Sequence, residues 1–530
     1  MNPHSDPTRL PKQPFLVLGV LVPVVLLVGI VLVPWMRGSG LPTVALAAAA
    51  FASAVVWWLT LLWTMHHLVF QLAALVTPAM PSRSPRRNAG HVPAAILYTT
   101  CDDFDPESCR SCVEQSYRPL RVYVCDDSAT DEAREKVAEF CARHGRTTLV
   151  RRDGGSGFKA GNLNHALRKK VTEEWILLAD ADQRLPREYM AQMMAAAGDA
   201  PAHVAYLQGA QIARTEAKPT PFQTALSPEV EIFYGRDLPL RNRFGFVPLL
   251  GHGALLRRSA WSAVGEFPEL VSEDFAFALR VSASGMQGLF VENVEGSEAF
   301  PCDFGGFLLR LRKFAAGTAE LARSELGAFL SGAASFTEKY DFMLQISWYL
   351  LMPLVVLNGF ASALVVHHLW ASGVQFLHPL LPFLYTWIFA ALFGVALSGT
   401  RSWGEALRFY FWAVAVYGAA LPLAGVALLR HLFTTPVFQR TPKNGVATAL
   451  RIHDQFFMVT LGAVAVAVAV AYRSPFTPVL LAQGSAYLCF PLYGKLCAPS
   501  AWGRLARVAV YMPGLLMLAS LYTMWRWGRF

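Results

Sequence analysis

Charged residues are scarce in this chain: they make up 16% of its 530 residues, whereas a typical soluble protein carries about a quarter. Hydrophobic residues make up 54%, and they are concentrated in long blocks separated by more polar stretches. This distribution argues against an ordinary soluble protein. It indicates a membrane protein that carries one soluble domain.

Cysteine is also scarce, with eight residues in the chain, and their spacing predicts no disulfide framework. The single CxxC, formed by Cys109 and Cys112, lacks the second pair that a zinc site would need. We therefore interpret both cysteines as small residues on a helix of a reducing, cytosolic domain. Internal repeats and low-complexity tracts are likewise missing from the sequence.

Negative charge is in the minority, and the net charge is +9. A basic chain of this kind raises the question of a nucleic-acid partner. However, the cations cluster beside the apolar blocks, as expected for the cytosolic ends of membrane spans. We therefore predict no nucleic-acid partner and predict a lipid bilayer instead. The clustered cations are Arg83, Arg86, Arg87, Arg401, Arg408, Arg430, Arg440, Lys443 and Arg451.

The apolar blocks predict several membrane spans. Residues 15–35 are long enough to cross a bilayer, and no cleavage site follows them, so we expect an anchor. A second block covers about 41–76, and the arginines after it return the chain to the cytosol. Further spans are predicted at 343–369, 375–399, 454–472, 476–496 and 505–525.

Residues 404–432 are also long enough to cross. Cations on both flanks favour a helix that lies along the membrane interface or re-enters it. We therefore expect seven crossings, with eight as the alternative.

Residues 92 to about 300 show a different pattern. Short apolar runs that end in polar residues alternate with helical patterns; the runs are VPAAILYTT, LRVYVC, TTLVRR and EEWILLA. This alternation predicts a mainly parallel sheet of βαβ units. Such sheets bind ligands at the carboxyl ends of their strands, where the polar residues would meet.

Three acidic clusters follow strand-like runs in this region. Taken singly, each also fits a strand end or a helix cap, and Ser272 or Asp274 could cap the helix that follows. Carboxylates such as those of Asp180 and Asp182 suit Mg²⁺ or Mn²⁺, and a carboxylate is the natural general base. The clusters contain Asp102, Asp103, Asp126 and Asp127; Asp180 and Asp182; and Glu273 and Asp274.

Lys159 lies in the glycine-bounded stretch GFKAGN and can place a positive charge beside a phosphate group. The alternative is a plain loop before a helix that Asn162 or Asn164 caps. Both interpretations can hold, because the N-terminus of a helix itself attracts anions.

Together, and in this order between membrane spans, the motifs resemble those of the family 2 inverting glycosyltransferases. The resemblance is to the membrane-embedded polysaccharide synthases, which include cellulose, chitin and hyaluronan synthases. The motifs that carry it are YTTCDDF, VCDDS, GFKAGNLNHAL, DAD, GHGALLRR, SEDFAFALR and, as a gating loop, FQRTPKNG at 438–445.

The resemblance implies an α/β GT-A (Rossmann-like) cytosolic domain inserted between transmembrane helices of the inner or plasma membrane. The implied organisation is a cytosolic N-terminus at 1–14, two transmembrane helices in 15–76, the GT-A domain at 77–303, interfacial amphipathic helices at 304–342, two transmembrane helices in 343–399, an interfacial or re-entrant helix at 400–432, the gating loop at 433–450 and three transmembrane helices in 451–530.

The resemblance also implies roles for individual residues. Asp274, with Glu273 beside it, is expected to act as the general base, and Asp180 and Asp182 are expected to hold Mg²⁺ or Mn²⁺. His252, Gly253 and Phe314 are expected to face a glycan acceptor, although a lone histidine such as His252 also fits a structural role. The residues expected to bind the nucleotide sugar, a UDP-sugar in most of this family, are Thr100, Asp103, Asp126, Asp127, Lys159, Asp180, Arg310, Lys313 and Lys443.

The segment FLLRLRKFAAG, 307–317, departs from the family pattern Q-x-x-R-W. Here the aligned residues are Arg310, Lys313 and Phe314. Lysine lacks the two-pronged fork of arginine, and phenylalanine offers a smaller stacking face than tryptophan. The sequence therefore leaves two activities open: a processive polysaccharide synthase, which we favour, and a non-processive enzyme that adds one sugar to a lipid or glycan. A scaffold protein with an inactive domain is disfavoured, because Lys159, Asp182 and Asp274 are intact.

Overall fold

The four apolar runs form four parallel strands: β1 (Ala94–Thr100), β2 (Leu120–Asp126), β3 (Thr147–Val150) and β4 (Trp175–Asp180). The computed structural model describes residues 44–76, 92–371, 402–436, 448–472 and 477–527 except Gly155 and Glu216, together with residues 12, 17, 19–21 and 394. In the pairing register, Thr100 lies beside Asp126, and Thr99 lies beside Asp180. The predicted meeting of polar strand ends is therefore confirmed.

Three further strands complete the sheet: β5 (Val204–Arg214), β6 (Ala254–Arg257) and β7 (Gln287–Ala299). The strand order is β3-β2-β1-β4-β6-β5-β7. Strand β6 is antiparallel to both β4 and β5, while β5 and β7 pair in parallel. The α/β prediction is confirmed, with a mixed sheet. Because β6 is reversed, the residues that precede it lie at the carboxyl end of β4.

Helices cover both faces of this sheet. Alternate residues of β1 point to opposite faces: Ile96 and Tyr98 pack against one helical layer, and Ala95 and Leu97 pack against the other. The first helices in chain order are α1 (Val44–Val76), α2 (Pro106–Val113), α3 (Asp131–Arg143), α4 (Phe158–Lys169), α5 (Tyr189–Asp199), α6 (Pro221–Leu226), α7 (Pro228–Ile232), α8 (Leu238–Phe244), α9 (Arg258–Val264) and α10 (Glu273–Ala283).

The CxxC cysteines lie on α2, as the helix interpretation predicts. Cys109 and Cys112 are both fully buried, and both are free thiols. Burial raises the pKa of each thiol well above its usual range, so both stay protonated and pack as small apolar groups.

The remaining helices follow the α/β domain. They are α11 (Phe304–Ser324), α12 (Leu326–Ser331), α13 (Phe336–Ala371), α14 (Trp403–His431), α15 (Ile452–Ala471), α16 (Thr477–Leu488), α17 (Phe490–Tyr493), α18 (Ala501–Ala509) and α19 (Met512–Trp527). The first of them, α11, begins at the N-cap residue Asp303, whose side chain accepts a hydrogen bond from the Gly306 amide.

Within the described residues, three helical segments are long and apolar enough to cross a membrane: Phe51–Phe70 of α1, the whole of α14 and the whole of α15. A fourth candidate is α13, if its two halves, Phe336–Leu351 and Pro353–Val365, form one span with a bend of 58°. These segments coincide with four of the apolar blocks. The predicted spans at 15–35 and 375–399 lie largely outside the described residues, so the counts of seven or eight crossings stay predictions.

The predicted span at 505–525 is not one helix. It is divided between α18 and α19, with a break after Ala509. Arg507 on α18 donates hydrogen bonds to the backbone oxygens of Leu496 and Ala498, and this ties α18 back onto the preceding loop.

Candidate active site

The stretch GFKAGN starts a helix. Gly157, in the left-handed conformation with φ +74°, is the N-cap of α4, so Lys159 lies in the first turn of that helix. Asn162 and Asn164 lie within the helix and cap nothing. Asn162 Nδ2 donates to the Cys125 oxygen, and Asn164 bonds to the backbone of Phe267. The loop interpretation of this stretch is therefore wrong.

Lys159 stands at the centre of a cluster of acidic residues. Its Nζ lies 2.6 Å from Asp180 Oδ1 and 3.8 Å from Glu273 Oε1, and it donates a 2.8 Å hydrogen bond to the Gly251 oxygen. Burial alone would lower the pKa of Lys159, but the charges of Asp180, Glu273 and Asp274 outweigh burial and raise it. The side chain is therefore an ammonium held at the carboxyl end of β4.

Glu273 and Asp274 form the first turn of α10, and both face this ammonium. Burial raises the pKa of Glu273, and the charge of Asp274 adds to the effect, so that the value reaches about 7. Burial also raises the pKa of Asp274, although Lys159 opposes this. Ser272 is the N-cap residue, but its side chain makes no capping bond, while Asp274 Oδ1 accepts from the Phe275 amide. A carboxylate with a raised pKa is a stronger base, which suits proton abstraction.

The turn Gly251–His252–Gly253 closes the cluster from the β6 side. Gly251 has φ +72°, and a Cβ at this position would lie 2.8 Å from Asp274 Oδ2, so only glycine fits there. His252 Nε2 lies 2.8 Å from Glu298 Oε2, and its Nδ1 lies 4.0 Å from Asp180 Oδ2. Burial alone would lower the pKa of His252, but Glu298 and Asp180 outweigh it and raise the value to about 9.

Glu298, on β7, was not predicted from the sequence. It holds His252 in the charged form, but nothing in the stretch EGSEAF distinguishes it from an exposed strand residue. The residue is identified only by the pairing of β7 with β5, which brings it to the same edge of the sheet.

Four of the nine residues predicted to bind the nucleotide sugar, Thr100, Asp103, Asp126 and Asp127, lie at or just after the ends of β1 and β2. Asp126 Oδ2 accepts from Arg151 Nε at 2.8 Å, and both oxygens of Asp127 accept from Arg152, at 2.9 and 2.6 Å. The Thr100 hydroxyl and the Cys101 amide both donate to Asp103 Oδ1. The two arginines were also missed by the sequence analysis, since TTLVRR was taken only as a strand end.

Asp180 and Asp182 are the two carboxylates predicted to hold a divalent cation, and Asp180 Oδ1 is paired with Lys159 Nζ in this structure. In the described part of the chain, no group of three or more His, Cys, Asp or Glu side chains could hold a metal ion. Mg²⁺ in phosphate-transfer sites commonly takes one or two carboxylates, with waters and substrate phosphates completing its shell. The residues present fit such an ion when a diphosphate is bound with it.

The basic residues of α11 lie in different places. Lys313 faces Glu273, Asp180 and Asp274; burial lowers its pKa, and these carboxylates oppose the shift. Arg310 instead pairs with Glu229 of α7, and its guanidinium lies 5.0 Å from the centre of the Phe307 ring.

A Cβ at Gly317 would overlap Ser272 Oγ, so this glycine lets α11 pack closely against the start of α10.

Phe314 and Lys443 complete the predicted set. Phe314 is 46% exposed and therefore accessible on the surface of α11. Lys443 and the whole segment 438–445 lie outside the described residues.

Residues 175–427 match the family model described as Glycosyl transferase family group 2. The chain carries a glycosyltransferase family 2 domain. The matched range of this domain includes Asp180, Asp182, Glu273, Asp274 and all of α11, and the resemblance to family 2 glycosyltransferases is confirmed.

The chain is similar to several curated proteins. It is 27% identical over 219 residues to the cellulose synthase catalytic subunit [UDP-forming] of Pseudomonas fluorescens, covering 39% of this chain and 28% of that protein. It is 32% identical over 174 residues to cellulose synthase 2 of Novacetimonas hansenii, covering 31% of this chain and 10% of that protein. A probable glucomannan 4-beta-mannosyltransferase 15 of Arabidopsis thaliana is 25% identical over 214 residues, which are 38% of this chain and 39% of that protein. The chain thus spans less than two fifths of the length of these relatives.

Solved structures also match. A mannosyltransferase, PcManGT from Pyrobaculum calidifontis in complex with GDP-Man and Mn²⁺, aligns with a TM-score of 0.39 at 19% identity, covering 73% of this chain and 96% of that chain. S. aureus TarS 1–349 aligns with a TM-score of 0.32 at 12% identity, covering 64% of this chain and 89% of that chain.

Proposed function

We propose that this protein is an inverting, processive polysaccharide synthase. It transfers a sugar from a nucleotide diphosphate sugar to the end of a β-linked glycan and passes the glycan through its own membrane helices. The observation that carries the proposal is the meeting of Lys159, Asp180, Glu273, Asp274 and Lys313 at one edge of the sheet. This edge combines cations for a diphosphate with a carboxylate for a hydroxyl.

The donor lies along the carboxyl ends of β1, β2 and β4 in a GT-A arrangement. Its nucleoside contacts Thr100, Asp103, Asp126 and Asp127, where Arg151 and Arg152 fix the two last carboxylates. Lys159 and Lys313 place positive charge near the diphosphate. Arg310 and Lys443 remain assigned to the donor by family resemblance alone.

A divalent cation, Mg²⁺ or Mn²⁺, would be held by Asp180 and Asp182. When bound with the donor, it supplies positive charge that stabilises the departing diphosphate.

Asp274 takes the proton from the acceptor hydroxyl. The hydroxyl oxygen attacks the anomeric carbon on the face opposite the diphosphate, the bond to the diphosphate oxygen breaks, and the proton stays on the Asp274 carboxylate. The raised pKa of Asp274 supports this role, because it strengthens the base. Glu273 shares the site and keeps Lys159 close.

The acceptor approaches from the side of α11, where Phe314 can stack on a sugar ring and His252 and Gly253 line the turn. The catalytic domain lies in the cytosol of a multi-pass protein. Helix α14 lies along the interface, which is supported by its contacts: the Tyr417 hydroxyl donates a 2.6 Å bond to Glu229 of the α/β domain, and the Tyr417 ring packs on Phe307 of α11. The segment 433–450 would close over the donor and exclude water.

The donor is proposed to be a UDP-sugar, because one relative of this chain is described as a UDP-forming cellulose synthase catalytic subunit. The test is a panel of UDP- and GDP-sugars given to the purified protein with Mg²⁺, Mn²⁺ or a chelator, followed by linkage analysis. We expect one donor to give a β-linked product that disappears with the chelator. Failure of every donor in the panel would overturn the proposal.

The second candidate is a non-processive enzyme that adds a single sugar to a lipid or glycan. It is favoured by Arg310, which stands where the family motif Q-x-x-R-W has glutamine and which forms an ion pair with Glu229. Product size separates the two: membranes given labelled donor yield either long polymer or a single-sugar adduct.

A further inference from the structure

Three buried side chains form hydrogen bonds to the backbone in and beside the turn Gly251–His252–Gly253, and none of them takes part in the proposed mechanism. They are Gln208 on β5, Gln183 in the loop after Asp182, and Tyr189 on α5, and each is fully buried. Burying polar groups is costly unless they are hydrogen-bonded, so their partners are informative.

Gln208 bonds to the backbone on both sides of Gly251. Its Oε1 accepts from the Leu250 amide at 2.9 Å, and its Nε2 donates to the His252 oxygen at 3.0 Å. One side-chain amide therefore bonds to the backbone of both residues that flank Gly251, whose oxygen accepts a hydrogen bond from Lys159.

Gln183 and Tyr189 form similar hydrogen bonds to the backbone of Gly253. The Gly253 amide donates to Gln183 Oε1 at 3.1 Å, and the Tyr189 hydroxyl donates to the Gly253 oxygen at 2.8 Å. Gly253 has φ +58°, and a Cβ there would lie 2.7 Å from Gln183 Nε2 and 2.9 Å from the Tyr189 hydroxyl oxygen. The turn therefore has no room to shift towards this side of the core.

The Gly251–His252–Gly253 turn also sets the geometry of the acidic cluster around Lys159. The Gly251 oxygen accepts from Lys159 Nζ, which lies 2.6 Å from Asp180, and Gly251 itself packs against the Asp274 carboxylate. A displacement of about 1 Å at a reacting centre can cost about a hundredfold in rate.

We propose that Gln208, assisted by Gln183 and Tyr189, is a positioning residue that fixes the Gly251–Gly253 turn and thereby the placement of Lys159 between Asp180 and the Glu273–Asp274 pair. The catalytic part of this inference rests on the proposed sugar transfer. The positioning part concerns the turn alone and can be measured without it.

Gln115 provides a matched control. It is also fully buried, its Oε1 accepts from the Met190 amide at 2.8 Å, and its Nε2 donates to the oxygens of Ser111 and Pro186. It bonds to no residue of the turn. Gln115→Met and Gln208→Met each remove a buried amide that bridges backbone groups, so a purely structural role predicts the same outcome for both.

The first measurement is hydrogen exchange on the full chain in lipid nanodiscs. We expect Gln208→Met to speed exchange in the peptide that contains residues 249–254, whereas Gln115→Met leaves this peptide unchanged. Unchanged exchange in Gln208→Met would overturn the proposal, and this holds whether or not the wild-type protein transfers sugar.

The second measurement is steady-state kinetics with the donor that the panel identifies. Gln208→Met should lower kcat about tenfold or more with a smaller change in KM, while Gln115→Met stays within about twofold, at similar losses of Tm. Tyr189→Phe deletes one hydrogen bond with little change in packing, and we expect it to lower kcat severalfold in the same direction. Combining Gln208→Met with Lys159→Met should cost less than the product of the single effects, because both act through the same anchor. Equal losses of kcat in the Gln208 and Gln115 variants, or strict additivity with Lys159→Met, would reduce Gln208 to a structural residue.

Discussion

Lys159 Nζ lies 2.6 Å from Asp180 Oδ1, across the gap between the first turn of α4 and the end of β4. The same ammonium donates to the Gly251 oxygen. One cation thus joins a helix, a parallel strand and the turn before the antiparallel strand. Three separate parts of the sequence meet at this atom.

Asp274→Asn should give a folded protein with almost no transferase activity. The amide cannot take a proton from the acceptor, and general-base catalysis of this kind contributes about a thousandfold. The change keeps the side-chain oxygen that accepts from the Phe275 amide, so Tm should be close to wild type. Turnover and Tm of the purified variant are measured beside Asp131→Asn, an exposed carboxylate at the start of α3. Full turnover by Asp274→Asn would refute the mechanism.

Activity should fall as the pH is lowered towards mildly acidic values. The base works only when it is ionised, and burial raises the pKa of both carboxyls, that of Glu273 to about 7. The loss should therefore occur well above the ordinary aspartate value of about 3.9. The measurement is kcat as a function of pH. A rate that stays constant down to about pH 5 would contradict the raised pKa values.

Glu298→Gln should destabilise the protein at neutral pH and have little effect in alkaline solution. The folded-state pKa of His252 is raised from 6.5 to about 9, so the His252–Glu298 pair stabilises the fold fully below the unfolded value. This contribution is lost as the pH rises through about 9. Unfolding is measured at several pH values, and Glu295→Gln, an exposed residue of the same strand, serves as the control. A pH-independent difference from wild type would show that charge is not the cause.

Breaking the ion pair between Arg312 and Asp454 should loosen α11 from α15. Arg312 Nη1 and Nη2 bond to the two Asp454 oxygens at 2.9 and 2.7 Å, and Asp454 is almost fully buried. Asp454→Ala leaves a poorly solvated guanidinium, and we expect a loss of roughly 2–4 kcal/mol, somewhat below that of a fully buried pair.

Chemical unfolding in mixed micelles measures this loss, with Arg323→Ala, an exposed position on α11, as the control. The double variant Arg312→Ala/Asp454→Ala should lose less stability than the sum of the single variants. Additive losses would mean that the pair does not couple the two helices.

Phe314→Ala should shorten the product while leaving the fold intact. The side chain is 46% exposed, so its removal leaves no core cavity, but it takes away the proposed stacking face for the acceptor. Product length is compared with that of Leu330→Ala, another exposed apolar residue, on α12. A polymer of wild-type length from Phe314→Ala would contradict the proposed stacking of Phe314 on the acceptor.

Much of the candidate site could be predicted from the sequence because strand signals are local. The runs that end in Asp126 and Asp180 form parallel neighbours of β1, and parallel strands present their carboxyl ends at one edge. The glycines of GFKAGN misled the prediction, because they suggested a loop. Gly161 lies inside α4, where a Cβ would overlap the Ser156 oxygen and the Arg152 side chain.

The sequence by itself determined the class of the domain, its first four strands and the acidic residues that follow them, because these follow from short-range periodicity and residue chemistry. Only the tertiary structure decided that Glu298 charges His252, that Gln208 holds the turn and that Arg310 pairs with Glu229. These partners are far apart in the chain. Their contacts exist because the mixed sheet and α11 bring distant segments together, and no local pattern records such an approach.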